Sequence, residues 1–306
     1  MYRKHEFKKL APYFSLKIKN AILRISESDA DRIHEIRLRI NRPVTTASYG
    51  KEIFLMPDGR LSASRDGALI ADRHDLESSF RAICDYSLHS YEKELSEGYI
   101  TLEGGCRVGI AGTFSANGAV KYVNGLNFRV PGQVFGCGEG IYNMLLSQKP
   151  VSILIAGSPA SGKTTILKDL CRILGERYRV SVADERSEIA ASFHGEPENS
   201  IGLMTDVFDG CSKSRGIETA VRVMSPDIVV CDEIGGKGDS EALMLCLNCG
   251  VKVITTVHAG SWEELSGRKH IMELVKNKVF DYAVFLGSGK NPGEITSVKR
   301  IGDKFD

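Results

Sequence analysis

The sequence predicts a protein of the α/β class, with a C-terminal α/β domain built on a mostly parallel sheet and an N-terminal α+β domain. Three observations lead to this prediction. From Glu139 onward, strand patterns alternate with helix patterns, which is typical of a parallel sheet with helices on both faces. The strands of that half are nearly continuous apolar runs, as expected for strands buried on both faces. In the first half, short alternating strands separated by turn signals are typical of an antiparallel sheet.

Length and composition are those of an ordinary globular protein with two domains. The chain has 306 residues, of which 42% are hydrophobic and 26% charged. The formal net charge of +1 gives no overall basic field, so the composition does not favour a dedicated nucleic-acid binder.

Cysteine usage and apolar runs indicate a cytoplasmic location. The eight cysteines are scattered, and several lie in apolar patterns, which is typical of free thiols in a reducing compartment. Cys246 and Cys249 form an isolated pair, whereas zinc sites of this kind use four ligands. No apolar run approaches the ~20 residues of a membrane-spanning helix, and the basic start lacks the apolar core of a signal peptide.

The N-terminal domain is predicted to span residues 1–138. The alternation in residues 34–40 places Ile36, Leu38 and Ile40 on one face of a half-buried strand. The glycine-rich stretch 132–140 marks the boundary to the next domain. The other predictions are two helical pieces over residues 1–29, strands at 44–49, 52–56, 99–102, 107–112 and 126–130, a helix at 75–85, and turns at Gly50-Lys51 and Asn117-Gly118.

The first twenty residues combine basic and apolar side chains. This pattern allows two interpretations. The segment could dock on an anionic membrane surface or on a membrane partner, or it could be a solvated amphipathic helix that packs on its own domain. The basic residues are Arg3, Lys4, Lys8, Lys9, Lys17 and Lys19.

The C-terminal domain is predicted to span residues 139–306. Its strands and helices alternate along the chain, with a polar stretch after the second strand. The predicted strands are 151–156, 179–183, 228–231, 251–256, 282–286 and 294–299, and the predicted helices begin near Lys163 or span 214–224 and 239–249.

A phosphate-binding loop follows the first of these strands. The sequence fits the pattern G-x-x-x-x-G-K-[ST], between a buried strand and an amphipathic helix, which is the context that the pattern requires. The loop residues are Gly157, Ser158, Pro159, Ala160, Ser161, Gly162, Lys163 and Thr164, followed by Thr165.

Each residue type in this loop suits a triphosphate. Gly157 and Gly162 allow backbone angles at which successive N–H groups turn inward around a phosphate. Lys163 supplies a positive charge for the β- and γ-phosphate oxygens, and the Thr164 hydroxyl is placed to bind Mg²⁺. The helix that begins here adds the positive end of its dipole. The sequence therefore predicts a site for ATP and Mg²⁺.

Polar residues follow three further strands, and parallel strands end at the same edge of their sheet. Asp232 follows a buried strand and is assigned to the metal. Glu233 is the candidate general base, with Glu185 as the competing candidate, and the sequence does not choose between them. His258 is placed to hydrogen-bond the γ-phosphate, although a capping or core histidine would give the same pattern.

These segments together resemble the secretion ATPases of type II secretion, type IV secretion and type IV pili. That family has, in order, a Walker A loop, an acidic Asp box, a Walker B strand and a His box. The resemblance implies a RecA-like fold, ATP hydrolysis and assembly into hexameric rings. The segments in these places are 157–165, 184–186, 228–233 and 256–259.

The resemblance extends upstream of the phosphate loop. The segments that begin at Arg107 and end near Arg129 are similar to the end of the family's N-terminal domain. The resemblance implies that these two arginines reach the nucleotide of a neighbouring subunit. It covers residues 30 to 290, approximately.

Three segments are similar to a sporulation branch of this family. They read SPASGKTT, VADERSEIA and DIVVCDEIG. Members of that branch are cytoplasmic ATPases associated with a membrane-spanning channel between mother cell and forespore. The resemblance therefore implies a homo-oligomer that is held at the membrane by channel or secretion proteins, without a stable nucleic-acid partner.

The sequence departs from the family pattern at two places. Gly235-Gly236-Lys237 stands where larger members have an arginine and an aspartate, and the tetracysteine zinc module of the type II enzymes is absent.

Two other functions are alternatives to a secretion ATPase. A RecA-like nucleic-acid motor would need a basic groove with aromatic side chains. A small-molecule kinase would need an acceptor pocket and a lid, and no lid segment follows the loop.

Overall fold

The computed structural model of the chain describes residues 3–4, 7–48, 51–85, 91–96, 98–115, 119–130, 132–287 and 292–301. It divides into an N-terminal unit, Arg3–Gly132, and a C-terminal unit that begins at Gln133. The predicted turn at Asn117-Gly118, the last residue of the predicted strand 44–49 and Gly50 of the predicted Gly50-Lys51 turn lie outside the described residues.

Short strands and helices make up the N-terminal unit. Its strands are β1 (Arg3–Lys4), β2 (Glu35–Arg39), β3 (Arg42–Pro43), β4 (Thr45–Ser48), β5 (Lys51–Leu55), β6 (Leu61–Ser62), β7 (Ile70–Ala71), β8 (Tyr99–Thr101), β9 (Arg107–Phe114) and β10 (Val120–Arg129). Its helices are α1 (Leu16–Leu23), α2 (Glu27–Ala30), α3 (Arg73–Ile83) and α4 (Glu92–Ser96), with 3₁₀ turns at Phe7–Tyr13 and Glu103–Gly105.

An antiparallel sheet organises this unit, in the order β6-β5-β4-β2-β10-β9-β8. Ile36 on β2 lies opposite Phe128 on β10, and Phe128 lies opposite Val108 on β9. All three side chains are fully buried, because alternate residues of each strand point to the same face. The residues next to these three along each strand are polar or charged, apart from Gly109, so one face forms the core and the other carries the charges.

The start of the chain belongs to this core. Phe7, Leu10 and Ile18 are buried, and the ring of Phe14 lies 4.4 Å from that of Phe128. Much of the apolar side of residues 7–23 is therefore packed within the unit, as the second interpretation predicts, whereas Leu16 and Leu23 are 74% and 47% exposed. Docking on a membrane or on a membrane partner stays a prediction.

Asp75 joins the first helix to α3. Its carboxylate accepts hydrogen bonds from the Ser15 hydroxyl at 2.6 Å and from the Asp72 N–H at 2.7 Å, and Lys17 Nζ lies 2.6 Å away. Asp72 in turn accepts from the Asp75 N–H, so the pair forms a capping box at the start of α3. Because Asp75 is only 2% exposed, these partners are what allow a carboxylate to be buried there.

The C-terminal unit alternates strands and helices. Its strands are β11 (Gln133–Val134), β12 (Ile153–Gly157), β13 (Val180–Asp184), β14 (Thr205–Asp209), β15 (Ile228–Cys231), β16 (Lys252–His258), β17 (Tyr282–Leu286) and β18 (Ile295–Arg300). Its helices are α5 (Glu139–Ile141), which continues as a π-helical turn at Tyr142–Leu146, α6 (Lys163–Gly175), α7 (Lys213–Val223), α8 (Lys237–Asn248), α9 (Trp262–Ser266) and α10 (Lys269–Lys276).

Seven strands form its sheet, in the order β14-β13-β15-β16-β12-β17-β18. All neighbours are parallel except β17 and β18. Ile153 and Ile155 pack against α6, whereas Leu154 and Ala156 belong to the opposite face with residues of α7, α8 and α10. The central strands are therefore covered on both sides, as their continuous apolar runs predict.

The edge strand β14 is absent from the sequence prediction, which places a polar stretch there. Its residues are half-buried or exposed, and Asp206 and Asp209 interrupt the apolar pattern. An edge strand needs only one covered face and one hydrogen-bonded neighbour, so a short apolar run is enough to hold it.

The pair Cys246 and Cys249 lies at the C-terminal end of α8. Cys246 is buried within α8, whereas Cys249 at its end is exposed, so the two side chains do not share one environment. Within the described ranges, no group of three or more His, Cys, Asp or Glu side chains is arranged to hold a metal ion by itself. None of the helices described is both long enough and apolar enough to cross a bilayer.

Replacing Asp75 by alanine should destabilise the N-terminal unit by about 2–3 kcal/mol, because the Asp72 N–H of the capping box and the buried Ser15 hydroxyl both lose their acceptor. Urea unfolding measures this change. Glu77→Ala on the same helix is the control, since that side chain is 50% exposed. Equal stability of the two variants would contradict the role given to Asp75.

Candidate functional site

The loop between β12 and α6 has the backbone geometry of a phosphate cradle. Gly162 has φ of +91°, a left-handed conformation that favours glycine, and α6 begins directly after it at Lys163. A Cβ on Gly157 would collide with the Ser161 hydroxyl oxygen. Ala160 also has a positive φ of 61°. The two glycines of the motif are thus required by the fold of the loop itself.

A second loop supports this cradle. The Gly293 N–H donates to the Ser161 carbonyl at 2.8 Å, and a Cβ on Gly162 would lie 3.0 Å from the Gly293 nitrogen. Of the remaining loop residues, Ser158 and Thr165 are half-buried, whereas Pro159 is exposed. The rim of the cradle is therefore accessible while its base is packed.

Lys163 lies inside the loop, with 6% of the residue exposed. Its Nζ donates to the carbonyl oxygens of Gly157 at 3.0 Å and Ser158 at 2.8 Å, and it lies 3.0 Å from His258 Nδ1. Burial lowers the pKa of Lys163, while the nearby Asp232 carboxylate opposes that effect. A phosphate would replace one or more of these partners as an acceptor.

His258 connects Lys163 to Glu233. Since an ammonium group has only donors, Nδ1 of His258 must accept, and the ring proton then lies on Nε2. Nε2 is 3.3 Å from Glu233 Oε2, so it can donate to that carboxylate. His258 is level with Gly157 in the register of β16 and β12, which explains why its ring reaches the loop. The imidazole links the phosphate loop to the candidate base.

The Asp232 carboxylate accepts hydrogen bonds from side chains of β16 and α6. Its Oδ1 accepts from the Thr256 hydroxyl at 2.6 Å and from the Glu233 N–H at 2.9 Å. Its Oδ2 accepts from the Thr164 hydroxyl at 3.2 Å. A hydroxyl oxygen beside a carboxylate is the pair of ligands with which P-loop proteins bind Mg²⁺. Thr164 and Asp232 therefore fit this ion.

The two neighbouring acids Asp184 and Glu185 have different surroundings. Asp184 is 2% exposed and accepts hydrogen bonds from the backbone N–H groups of Glu188, Ile189 and Ala190 at 2.8–3.0 Å. Burial raises the pKa of Asp184, and these hydrogen bonds oppose the shift. Glu185 is exposed. Asp184 therefore fixes the turn after β13, and Glu185 is the one free to act at the site.

A cavity of about 280 Å³ lies between this turn and the loop after β15. Both candidate bases, Glu185 and Glu233, line it, so the structure does not choose between them. Its lining also includes Lys213, which is not among the predicted site residues. One signal was available: Lys213 is the first residue of α7, where the helix dipole disfavours a cation.

The predicted arginines lie together in the N-terminal unit, whereas every other predicted site residue belongs to the C-terminal unit. Arg129 on β10 is directly opposite Arg107 on β9. The guanidinium of Arg107 stacks on the Tyr99 ring at 4.6 Å, and Arg129 lies 3.7 Å from Glu35. The Arg129 side chain is 66% exposed.

Sequence comparison identifies a family. A family model described as "Sporulation stage III, protein AA" matches residues 3–304. The stage III sporulation protein AA of Bacillus subtilis (strain 168) is 35% identical over 291 residues, which cover 92% of this chain and 91% of that protein.

Comparison with solved structures identifies the fold. The ATPase DotB of Yersinia pseudotuberculosis has a TM-score of 0.57 at 15% identity, over 88% of this chain and 75% of that one. The pilus retraction motor PilT with bound ADP has a TM-score of 0.57 at 12% identity, over 88% and 76% of the two chains. At these identities the likeness concerns the fold alone, and it confirms the predicted RecA-like α/β class.

Asp184→Ala should destabilise the C-terminal unit by about 2–4 kcal/mol, because three backbone donors lose their acceptor. Glu185→Ala is the matched control, since the adjacent side chain is exposed and its removal should leave stability unchanged within about 0.5 kcal/mol. Urea unfolding of both variants tests this difference. If Glu185→Ala were the more destabilised of the two, the roles assigned here would be reversed.

Proposed function

The chain belongs to the stage III sporulation protein AA family, and from this premise we propose that it is a Mg²⁺-dependent ATPase. Its work is to power or assemble a membrane-spanning, secretion-like channel during sporulation. One observation carries the proposal. Lys163, His258 and Glu233 form a connected series at the sheet edge where Thr164 meets Asp232.

The phosphate loop and its neighbours would bind the nucleotide and the ion. Backbone N–H groups of residues 157–165 and the Lys163 ammonium would hold the phosphates, and Thr164 with Asp232 would hold Mg²⁺. When bound, the ion neutralises charge on the β- and γ-phosphate oxygens.

The remaining residues would act on water and on developing charge. In the proposed reaction, water attacks the γ-phosphorus, the bond to the β-phosphate oxygen breaks, and ADP and phosphate are released. Glu233 would orient the water and accept its proton, with Glu185 as the alternative base on the same cavity. His258 Nε2–H, now 3.3 Å from Glu233, would be free to donate to a γ-phosphate oxygen once that contact is exchanged.

The oligomeric state and location form the second part of the proposal. We expect the protein to form a homo-oligomer, a hexameric ring as the family resemblance implies. In such a ring Arg107 and Arg129 would reach the nucleotide of a neighbouring subunit. The Arg129 side chain is exposed enough to reach a second chain. The ring would lie in the cytoplasm and be held at the membrane by channel proteins.

Lys163→Ala should abolish nucleotide binding while the fold stays intact, because the charge of the side chain serves the phosphates. Titration with a fluorescent nucleotide measures this loss.

Glu233→Gln should still bind ATP but hydrolyse it about 10²- to 10⁴-fold more slowly, since an amide cannot accept the proton. Phosphate release measures this rate. A larger rate loss in Glu185→Gln would assign the base to Glu185, and stimulation by single-stranded DNA would favour a nucleic-acid motor.

Activity should rise faster than linearly with protein concentration, because an arginine that acts in trans can contribute ~10³ or more to the rate. A mixing experiment makes the test specific. Arg107→Ala/Arg129→Ala keeps the phosphate loop and Lys163→Ala keeps the arginines, so a mixture of these inactive variants should regain activity. Arg60→Ala, at an 81% exposed side chain of the same unit, is the active control. A mixture without activity would contradict action in trans.

A further inference from the structure

Lys213 is a nearly buried cation beside the candidate base. It is the first residue of α7, and its side chain is 11% exposed. Lysine is almost never buried without partners, and the start of a helix repels a positive charge. Its position must therefore be stabilised by specific acceptors.

One acceptor comes from the loop that follows β15, and a second comes from the first turn of α8. Lys213 Nζ donates a hydrogen bond to the backbone carbonyl oxygen of Glu233. It also lies 3.9 Å from Asp239 Oδ2, and the same carboxylate oxygen accepts from the Gly235 N–H at 3.0 Å. Lys213 and Asp239 thus hold this loop at two points, from the first turns of α7 and α8.

This attachment fixes the residue that carries the candidate base. The N–H of Glu233 donates to Asp232 Oδ1, and its carbonyl accepts from Lys213, so both sides of its backbone are held. β15 ends at Cys231, and the buried Ile234 still donates its N–H to the Thr256 carbonyl of β16 at 3.1 Å. Gly235 and Gly236 follow, and two consecutive glycines favour backbone movement, so Lys213 and Asp239 add attachment on either side of Ile234.

We propose that Lys213 is a positioning residue for Glu233, which holds the loop from residue 233 to 235 so that the Glu233 carboxylate stays at the edge of the sheet beside His258. This inference rests on the proposed function. Its consequence is specific: loss of Lys213 should affect the chemical step and leave nucleotide binding intact. A displacement of about 1 Å at a reacting group can reduce a rate ~10²-fold.

Lys213→Met removes the charge and keeps the length of the side chain. We expect kcat for ATP to fall about 10- to 100-fold, with KM and the affinity for fluorescent ADP changed less than about twofold. Lys237→Met is the control, because Lys237 is 80% exposed on the first turn of α8. A kcat equal to that of wild type, or a loss of nucleotide affinity equal to the loss of rate, would overturn the inference.

A double variant separates positioning from general destabilisation. If Lys213 acts through Glu233, Lys213→Met should cause no further loss of rate in a Glu233→Gln background. A merely structural role would lower the rate of both backgrounds by the same factor. Equal losses would therefore overturn the inference.

Amide hydrogen exchange tests the attachment without any turnover. In Lys213→Met, amides of residues 234–236 should exchange faster, whereas those of β12 and α6 should keep their wild-type rates. Wild-type protein without ATPase activity would reject the proposed function, and the exchange rates would still decide on the attachment. Unchanged exchange at 234–236 would overturn it.

Discussion

The site depends on the position of β16 between β12 and β15. Neighbouring strands lie about 4.8 Å apart, so the phosphate loop and Asp232 start from strands about 10 Å apart. That separation leaves room for phosphates and an ion between them. β16 also supplies the side chains that bridge the gap, since Thr256 contacts Asp232 and His258 contacts Lys163. One buried strand therefore sets the distances among the other components.

Most groups of the site are held by backbone atoms. Lys163 bonds two loop carbonyls, Asp184 accepts from three backbone N–H groups, and Asp232 accepts from the next residue along the chain. Backbone partners depend on the fold rather than on a second side chain. The carboxylates of the two candidate bases are the exceptions: Glu185 is exposed, and Glu233 is half-buried with its carboxylate 3.3 Å from His258 Nε2. The groups that would bind phosphate and Mg²⁺ are thus held by the backbone, while those that would accept a proton line the cavity.

The sequence predicted the elements that repeat a known spacing. The phosphate loop follows from its glycines, and the ends of β15 and β16 follow from apolar runs that stop at Asp232 and His258. Burial could not be predicted where it depends on a turn. Asp184 and Glu185 are adjacent acids, and they differ because the chain reverses at Ser187, whose φ is +51°. Lys213 was missed for a similar reason, since its hydrogen-bond acceptor, the Glu233 carbonyl, lies twenty residues further along the chain. The helical pattern at the start of the chain was visible, but the surface that covers its apolar side was not.

The contact between Phe14 and Phe128 has a consequence for synthesis on the ribosome. The N-terminal unit takes its core from its first helix and from β10, near its two ends in the chain. This core cannot close until β10 has left the exit tunnel, so the first helix must wait with its apolar side uncovered. Long-range closure of this kind slows folding and exposes nascent chains to aggregation. A chaperone that binds nascent chains would therefore meet this protein at its first helix.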